Sequence, residues 1–370
     1  MDRRETERLL SAIRDVRAGG GRAALATVVR VKGSAYRREG AHMLVRETGA
    51  YECALSGGCL EPAVADAAAR VIAGGRPVVL NYDLQDDSVW GLGIGCTGAV
   101  DIRIERLEDD SLTQEWLGIL ERGEAAVLVT PLDDASGRLL VRGAGPTAGG
   151  LSDAALDGRA AARARERLRT GLPQSGAEVI DGRELFFEVA LPPPALVVFG
   201  AGFDAEPLAR QAWAVGFAVT VVDVRDAFLD PARFPGATLV SSHFAQFAER
   251  VPLRAGSFVV VMNHHLERDR ESLRFALSSG AAYIGVLGPR ARYERLLGDL
   301  AAEGVEPSAD ELAAVRSPIG LALGAETADE VALSIVAEIV AVRNGFEGGA
   351  LSGTAGSLHR AADRRLLASS

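Results

Sequence analysis

A glycine turn in the second half of the chain limits the folds open to it. The apolar strand 195–199 leads directly into Gly200 and Gly202, and a helix is predicted from about residue 204. A strand, a G-x-G-x-x-A turn and a helix in this order form the dinucleotide-binding fingerprint. Because apolar strands and helices keep alternating downstream, we predict a Rossmann-like, doubly wound parallel sheet for this part of the chain.

The residues around this turn leave the identity of its ligand open. Asp223 ends the next strand about twenty residues on, where an acidic side chain binds a ribose hydroxyl of NAD. Arg225 lies just beyond it and could favour a 2′-phosphate, so NAD(P) is a candidate cofactor. Asp204 and Glu206, however, place carboxylates where the phosphates would approach. A Rossmann-like domain that binds no dinucleotide is therefore the alternative.

A histidine lies where ligands of such a sheet bind. His264 follows the apolar strand 258–262, and ligands occupy the crevice beyond the carboxyl ends of the strands. It could act as the catalytic acid–base residue of an NAD(P)-dependent oxidoreductase. The alternative is a local role, in which Asp269 only caps or orients the imidazole.

Two glycine-rich loops in the first hundred residues each carry a cysteine. Gly57 and Gly58 precede Cys59, and the second loop holds Cys96 directly after Gly95. Glycine has no Cβ, so a thiol at such a turn can face a ligand. We predict that both cysteines take part in sulfur chemistry or bind a soft metal. The alternative is that they are small residues fitted into tight turns.

Charged side chains near the first loop are candidates for the same site. Arg37 lies in the polar loop 32–40, and its guanidinium could hold a phosphate through two hydrogen bonds, unless it is simply solvated. Glu61 begins the helix that follows Cys59. It either faces a ligand or stabilises the positive start of the helix electrostatically.

The order of the predicted elements divides the chain into two domains. Residues 1–191 combine helices and strands in an α/β domain, for which we predict a mixed sheet. The proline run 192–194 forms a stiff linker, because three prolines fit neither a helix interior nor a central strand. The Rossmann-like domain then covers 195–345, and the segment 346–370 is predicted to be a flexible tail.

Charge and cysteine content restrict the environment of the protein. The formal net charge of −10 over 370 residues argues against a nucleic-acid-binding surface. The charged N-terminus lacks the apolar core of a signal peptide, and no segment has the apolar length of a membrane span. Three cysteines do not make a disulfide framework, so we expect free thiols and a cytoplasmic location.

Taken in order along the chain, these segments resemble the XdhC/CoxI family, whose members are accessory proteins of molybdenum hydroxylases such as xanthine dehydrogenase. Ala322 stands where the family usually has Asp, and Asn263 stands where it usually has Thr. The segments that carry the resemblance cover nearly the whole chain: KGSAYRR (32–38), GAHM (40–43), SGGCLE (56–61), GLGIGC (91–96), the Gly200 turn, DVR (223–225), MNH (262–264), YIGVLGPR (283–290), SPIGL (317–321), GAET (324–327) and ALSIVAEI (332–339).

The resemblance implies a molybdenum-cofactor chaperone rather than a stand-alone enzyme. Such a protein binds molybdopterin, supports exchange of an oxo ligand for sulfur from a cysteine desulfurase, and inserts the cofactor into the apo-enzyme of a xanthine dehydrogenase or CO dehydrogenase type. It also implies a homodimer, with both loop cysteines at the cofactor and Arg37, Glu61 and the glycines of the first loop around them. Two other functions stay open, an NAD(P)-dependent oxidoreductase and a docking protein without a ligand.

Overall fold

The protein consists of two compact units. The structure, a computed structural model, describes residues 3–33, 35–83, 98–133, 137–143, 145–169 and 175–353. Unit 1 ends at Pro192, and unit 2 runs from Pro193 to Gly353, so the division falls within the proline run. Cys96 and residues 354–370 of the predicted tail lie outside the described residues.

The first half of unit 1 is an antiparallel sheet with a helix on each face. Its elements are α1 (Arg3–Ala18), β1 (Ala23–Lys32), β2 (His42–Arg46), β3 (Tyr51–Glu52), α2 (Glu61–Gly74), β4 (Val78–Asp83) and β5 (Ala99–Arg106). The strand order is β3-β2-β1-β5-β4. Alternate side chains of β1 face opposite sides of the sheet, so Ala24 and Ala26 pack with α2 and Ala23 packs with α1.

The second half of unit 1 repeats this arrangement with other helices. Its elements are α3 (Ser111–Arg122), β6 (Ala126–Pro131), β7 (Arg138–Arg142), β8 (Ala148–Gly150), α4 (Ala154–Arg169), β9 (Gly176–Ile180) and β10 (Arg183–Ala190). The strand order is β8-β7-β6-β10-β9, and all neighbours are antiparallel. Val127 and Val129 pack with α4, whereas Ala126 and Leu128 pack with Trp116 of α3.

The N-terminal strands therefore form two antiparallel sheets rather than the mixed sheet predicted from the sequence. The reason lies in the connections between them. Asp181 and Gly182 alone join β9 to β10, and both have positive φ angles, 52° and 76°. A two-residue turn of this kind reverses the chain and pairs its strands in opposite directions. A parallel pair would need a crossover of about a dozen residues or more.

In its described part, unit 2 is a six-stranded parallel sheet with helices on both faces, so the α/β class and the Rossmann-like, doubly wound sheet are confirmed. The strand order is β13-β12-β11-β14-β15-β16. Strands are added on one side of β11 up to β13 and on the other side from β14 onward, so the switch point lies between β11 and β14, where such folds bind ligands. The strands are β11 (Ala195–Phe199), β12 (Ala218–Asp223), β13 (Thr238–Ser241), β14 (Phe258–Val261), β15 (Tyr283–Val286) and β16 (Val315–Arg316). The helices are α5 (Ala205–Ala214), α6 (Phe247–Arg250), α7 (Leu266–Leu277), α8 (Arg290–Ala302), α9 (Ala309–Ala313) and α10 (Ala328–Arg343).

Helix α10 shows how one face of this sheet is covered. Thr327 and Glu330 cap its first turn reciprocally, because each side chain accepts a hydrogen bond from the other residue's backbone N–H. Ile335 and Ile339 are buried in the core that α10 shares with α5 and the sheet. At 16 residues, α10 is shorter than the roughly 20 residues that a bilayer requires. No helix in the described ranges is long and apolar enough to cross a membrane.

Candidate functional site

The Cys59 loop is held from the inside by a buried carboxylate. Glu61 begins α2 and is only 1% exposed. Its Oε1 atom accepts hydrogen bonds from the backbone N–H groups of Leu55 (3.0 Å) and Ser56 (2.7 Å). Its Oε2 atom accepts a third from the Ser56 hydroxyl. The side chain therefore points back into the loop and fixes the backbone in front of Cys59.

These hydrogen bonds favour the ionised form of Glu61. Burial on its own raises the pKa of a carboxyl, but the hydrogen bonds from Ser56 and Leu55 outweigh it, and the pKa of Glu61 lies below its ordinary value of 4.5. The charge lies at the N-terminus of a 14-residue helix, where negative charge is favourable. Of the two roles predicted for Glu61, the geometry corresponds to stabilisation of the helix start and the loop.

Ser56 connects Glu61 to the thiol. While it donates to Glu61, Ser56 Oγ accepts hydrogen bonds from the N–H groups of Gly58 (3.2 Å) and Leu60 (3.1 Å). It also accepts one from the Cys59 thiol, at 3.3 Å. Cys59 is half-buried against the core between α2 and the first sheet. The thiol thus has a fixed position two residues before α2 begins.

The two glycines of this loop present open main chain. Gly57 and Gly58 are exposed, and apart from the glycine itself and its two chain neighbours no described residue has an atom within 4 Å of the position that a Cβ would take at either one. The φ angle of Gly58 is +112°, so the backbone conformation, rather than packing, requires a glycine there. A ligand can therefore approach the main chain beside the Cys59 thiol, while the Glu61 carboxylate already occupies the N-terminus of α2.

Arg37 and Cys96 were also predicted for this site, but the part of the chain that the structure describes does not show either of them bonded to the Cys59 loop. The guanidinium of Arg37 binds both oxygens of the Glu5 carboxylate on α1, at 2.5 and 2.6 Å, so a phosphate there would compete with an ion pair. Cys96 lies outside the described residues. Within the described ranges, no three His, Cys, Asp or Glu side chains are close enough to hold a metal ion, and metal ligation by Cys59 stays a prediction.

A buried polar cluster in unit 1 was not predicted from the sequence. The His42 ring lies between the Thr27 hydroxyl (Nδ1 to Oγ1, 2.9 Å) and the Glu188 carboxylate (Nε2 to Oε1, 2.7 Å). These side chains and Arg103 line a cavity of about 40 Å³. Only His42 lies in one of the sequence segments named above, and no local motif joins the members of the cluster, because they come from β1, β2, β5 and β10. The volume suits a few water molecules and is far too small for molybdopterin.

In unit 2 the glycine turn crosses the end of a neighbouring strand. The φ angle of Gly200 is +112°, and a Cβ on it would lie 2.5 Å from the Met262 carbonyl oxygen and 2.9 Å from the Asn263 Cα atom. Only glycine allows this approach. The fold thereby brings the turn beside His264, since a Cβ on Gly202 would lie 3.6 Å from the imidazole.

The acidic residue predicted to bind a ribose is engaged within the protein. Asp223 is buried, and its carboxylate accepts hydrogen bonds from the Ala201 N–H (2.9 Å), the Arg225 N–H (2.9 Å) and the Arg225 guanidinium (2.7 and 2.9 Å). Burial raises the pKa of a carboxyl, but Arg225 and the two N–H groups hold the pKa of Asp223 below its ordinary value. These bonds tie the glycine turn to the end of β12 and occupy both carboxylate oxygens.

Arg233, which sequence reasoning did not single out, clamps the same turn. Its guanidinium donates hydrogen bonds to the Glu206 carboxylate (2.7 Å) and to the carbonyl oxygens of Phe228 (2.7 Å), Ala201 (3.1 Å) and Gly202 (3.4 Å). Arg233 lies in the irregular segment between β12 and β13, where no periodicity or motif indicates its partners. The arginine neutralises one of the two acidic residues at the start of α5 and fixes the turn.

His264 pairs with an acidic residue of the glycine turn. Its Nε2 atom lies 3.4 Å from a carboxylate oxygen of Asp204. Asp269 has other partners, since it accepts hydrogen bonds from Asn263 and forms an ion pair with Arg292. The φ angle of His264 is +57°, which is uncommon for a residue with a side chain. Asp204, and not Asp269, is therefore the carboxylate beside the imidazole.

The sequence matches two family models that together include both glycine segments. The XdhC and CoxI family matches residues 16–83, which contain the Cys59 loop. The XdhC Rossmann domain matches residues 196–339, which contain the Gly200 turn. The chain belongs to the XdhC/CoxI family, as its resemblance predicted.

Relatives and a solved structure are similar over most of the chain. It is 32% identical to a probable xanthine dehydrogenase subunit of Bacillus subtilis (strain 168), over 87% of this chain and 93% of that protein. It is 28% identical to the molybdenum cofactor insertion chaperone PaoD of Escherichia coli (strain K12), over 90% of this chain and 86% of that protein. A crystal structure of a xanthine dehydrogenase from Bacillus halodurans has a TM-score of 0.73 at 28% identity, over 93% of this chain and 97% of that one.

Proposed function

We propose that the protein is a molybdenum-cofactor chaperone, which binds molybdopterin, supports its sulfuration and inserts it into a molybdenum hydroxylase of the xanthine dehydrogenase or CO dehydrogenase type. The observation that carries the proposal is the Cys59 loop, where a fixed thiol lies beside two glycines with open main chain at the start of a helix. The names of two relatives, a molybdenum cofactor insertion chaperone and a probable component of xanthine dehydrogenase, support it.

The groups present in this loop fit such a cofactor. A metal centre bound by sulfur is soft, and a thiol is an appropriate neighbour for it. A loop open to solvent also accepts a bulky molecule, whereas the cavity of about 40 Å³ does not. The cofactor supplies the metal–sulfur chemistry, and the chain binds, orients and shields it.

Each residue has its own task in this proposal. Cys59 would hold the metal end of the cofactor, and the loop glycines would let the main chain approach it. Glu61 is a positioning residue, because its hydrogen bonds fix the loop. We assign Cys96 as the second thiol and metal ligand. Arg37 exchanges Glu5 for the phosphate of the cofactor.

Three partners and a location complete the proposal. The apo-enzyme of a molybdenum hydroxylase receives the cofactor, a cysteine desulfurase supplies the sulfur, and a second copy of the chain forms a homodimer. We place these events in the cytoplasm, where thiols stay reduced. An NAD(P)-dependent oxidoreductase has no comparable support, because the Asp223 carboxylate is already occupied by Ala201 and Arg225.

Cofactor retention after co-expression with the enzymes of cofactor synthesis tests the two thiols. We expect Cys59→Ala and Cys96→Ala each to lower the molybdopterin that copurifies with the protein by about tenfold, the effect of losing roughly 1.4 kcal/mol of binding free energy. Wild-type retention in both variants would refute the proposed role of the thiols.

Cys53 provides the matched control for this experiment. It is also half-buried and unpaired by a disulfide. Burial, followed by the charges of Glu5 and Glu52, raises the pKa of its thiol, which makes it a poor nucleophile and metal ligand. Cys53→Ala should therefore retain the cofactor as the wild type does.

A further inference from the structure

The glycine turn of unit 2 is acidic where a dinucleotide would place its phosphates. In Rossmann-like folds the pyrophosphate lies at the N-terminus of the helix that follows the turn. Here that helix is α5, whose N-cap residue is Asp204 and whose first turn contains Glu206. The Asp204 carboxylate at this position repels a diphosphate, while Glu206 is neutralised by Arg233. The residues present therefore do not fit the dinucleotide that the fold implies.

Two further contacts disfavour a dinucleotide. Asp223, at the position expected to bind the ribose, is occupied by hydrogen bonds from Ala201 and Arg225. Arg233 could attract a phosphate, but its guanidinium is bonded to Glu206 and to carbonyl oxygens of the turn. A dinucleotide would have to separate both arginines from carboxylates that already neutralise them.

The turn instead exposes an aromatic ring beside a carboxylate. Phe203 is 82% exposed, more than any other large apolar side chain of the described residues. Asp204 follows it directly, and 38% of its side chain is exposed. An exposed ring offers a stacking surface, and a carboxylate accepts hydrogen bonds from N–H groups. Together they suit a planar ring with N–H donors along its edge.

His264 positions this pair. Its imidazole lies 3.4 Å from the Asp204 carboxylate and beside Gly202. The positive φ of His264 costs free energy, and such conformations cluster at binding sites. The imidazole also lies at the switch point of the strand order between β11 and β14, the place at which this type of fold binds ligands.

We propose that the Phe203–Asp204 turn binds the ring of a nitrogen heterocycle and excludes its phosphorylated parts. Stacking on Phe203 supplies affinity, and Asp204 selects a ring edge that carries N–H donors. The inference rests on the proposed function in one respect, since that function supplies a suitable ring, a pterin, whose edge has an amino group and a ring N–H.

Fluorescence titration of the full chain with pterin, which has the ring but no phosphate, and with NADH tests the inference. We expect saturable pterin binding and NADH binding at least about tenfold weaker. Phe203→Ala and Asp204→Asn should each weaken pterin binding about tenfold, through loss of a stacking surface or of a charged acceptor. Phe203→Trp keeps a stacking surface and should bind pterin as the wild type does.

Two matched variants control for unspecific effects. Phe346→Ala removes another exposed phenylalanine of unit 2, and Asp310→Asn removes a carboxylate from the first turn of α9. Both should bind pterin normally. The inference is overturned if pterin does not bind, if NADH binds as tightly as pterin, or if Phe203→Ala and Asp204→Asn both leave pterin binding unchanged.

The result is separable from the test of the proposed function. Normal cofactor retention in the Cys59→Ala and Cys96→Ala variants would refute the role of the thiols and would leave the pterin titration as it is. Unchanged pterin binding in the Asp204→Asn and Phe203→Ala variants would refute the ring site alone. Circular dichroism of each variant verifies that the exposed substitutions leave the fold intact.

Discussion

Two glycine segments of this chain precede a helix, and they use glycine in opposite ways. At Gly57 and Gly58, no described residue beyond the chain neighbours has an atom within 4 Å of the position of a Cβ, whereas a Cβ on Gly200 would lie 2.5 Å from the Met262 carbonyl oxygen. The first pair opens the main chain to the outside, and Gly200 lets two segments of unit 2 pack together. A glycine motif thus indicates a close approach without saying whether the approaching group is a ligand or the chain itself.

The acidic residues beside the two glycine segments also differ, in where their carboxylates point and in what neutralises them. Glu61 turns inward and accepts hydrogen bonds from its own loop. At the start of α5, the Asp204 side chain is partly exposed, and Glu206 depends on Arg233 for neutralisation. The ionised Glu61 therefore already supplies the negative charge that the start of α2 favours, whereas the start of α5 holds two carboxylates of its own.

The largest expected effect is on the free energy of unfolding, and it distinguishes a glycine packed against the chain from a glycine that faces open space. Gly200→Ala would place a Cβ against Met262 and Asn263 in a backbone conformation that alanine disfavours, and should lower the free energy of unfolding by about 3 kcal/mol. Gly57→Ala meets open space and should change it by less than about 1 kcal/mol. Urea unfolding followed by circular dichroism measures both changes. Equal stability of the two variants would contradict the comparison.

A smaller effect tests the inward carboxylate of the Cys59 loop. Glu61→Gln keeps the size of the side chain but removes the charge that accepts three hydrogen bonds, and should lower the free energy of unfolding by about 2 kcal/mol at neutral pH. Because the pKa of Glu61 is lowered in the folded state, its contribution to the free energy of unfolding is complete above pH 4.5 and is lost as the pH falls through the folded-state pKa. The difference between wild type and variant should therefore shrink below pH 4.5.

Urea unfolding over a series of pH values measures this convergence. Glu52→Gln removes an exposed carboxylate of β3 from the same unit and is the matched control. It should change the free energy of unfolding little at any pH, since an exposed charge contributes little. A difference between wild type and Glu61→Gln that stays constant down to acidic pH would contradict the inward, ionised carboxylate.

The sequence predicted the sheet of unit 2 more completely than those of unit 1, and the reason is the range of the interactions. The parallel sheet follows from a local alternation of strands and helices and from the Gly200 turn, which short windows of sequence contain. The two sheets of unit 1 depend on which strands pair. Strand β1 pairs with β5, and Arg30 opposes Asp101 across a long stretch of chain. No local pattern specifies such a partner.

The candidate site residues divide in the same way. The placement of the Cys59 thiol beside two exposed glycines could be predicted because these residues are neighbours in sequence, while its role stays a prediction. The occupation of Asp223 by Arg225 could not, because an acidic residue at the end of a strand looks the same whether it binds a ribose or its own neighbour. The contact between Arg233 and Glu206 could not be predicted from the sequence either, since only the fold brings the two segments together.

The smallest expected effect on stability concerns Arg37, and it tests whether this arginine binds the phosphate of the cofactor. Arg37 and Glu5 are each 26% exposed, so their ion pair contributes about 1 kcal/mol or less. If Arg37 exchanges Glu5 for the phosphate of the cofactor, Arg37→Ala should lower the copurified molybdopterin several-fold, although it lowers the free energy of unfolding by only about 1 kcal/mol or less. Glu5→Gln should raise the copurified molybdopterin, because it removes the competitor. Copurified molybdopterin and urea unfolding, measured on both variants, provide the test. Wild-type retention in Arg37→Ala would restrict the arginine to its pair with α1 and would refute its proposed contact with the phosphate.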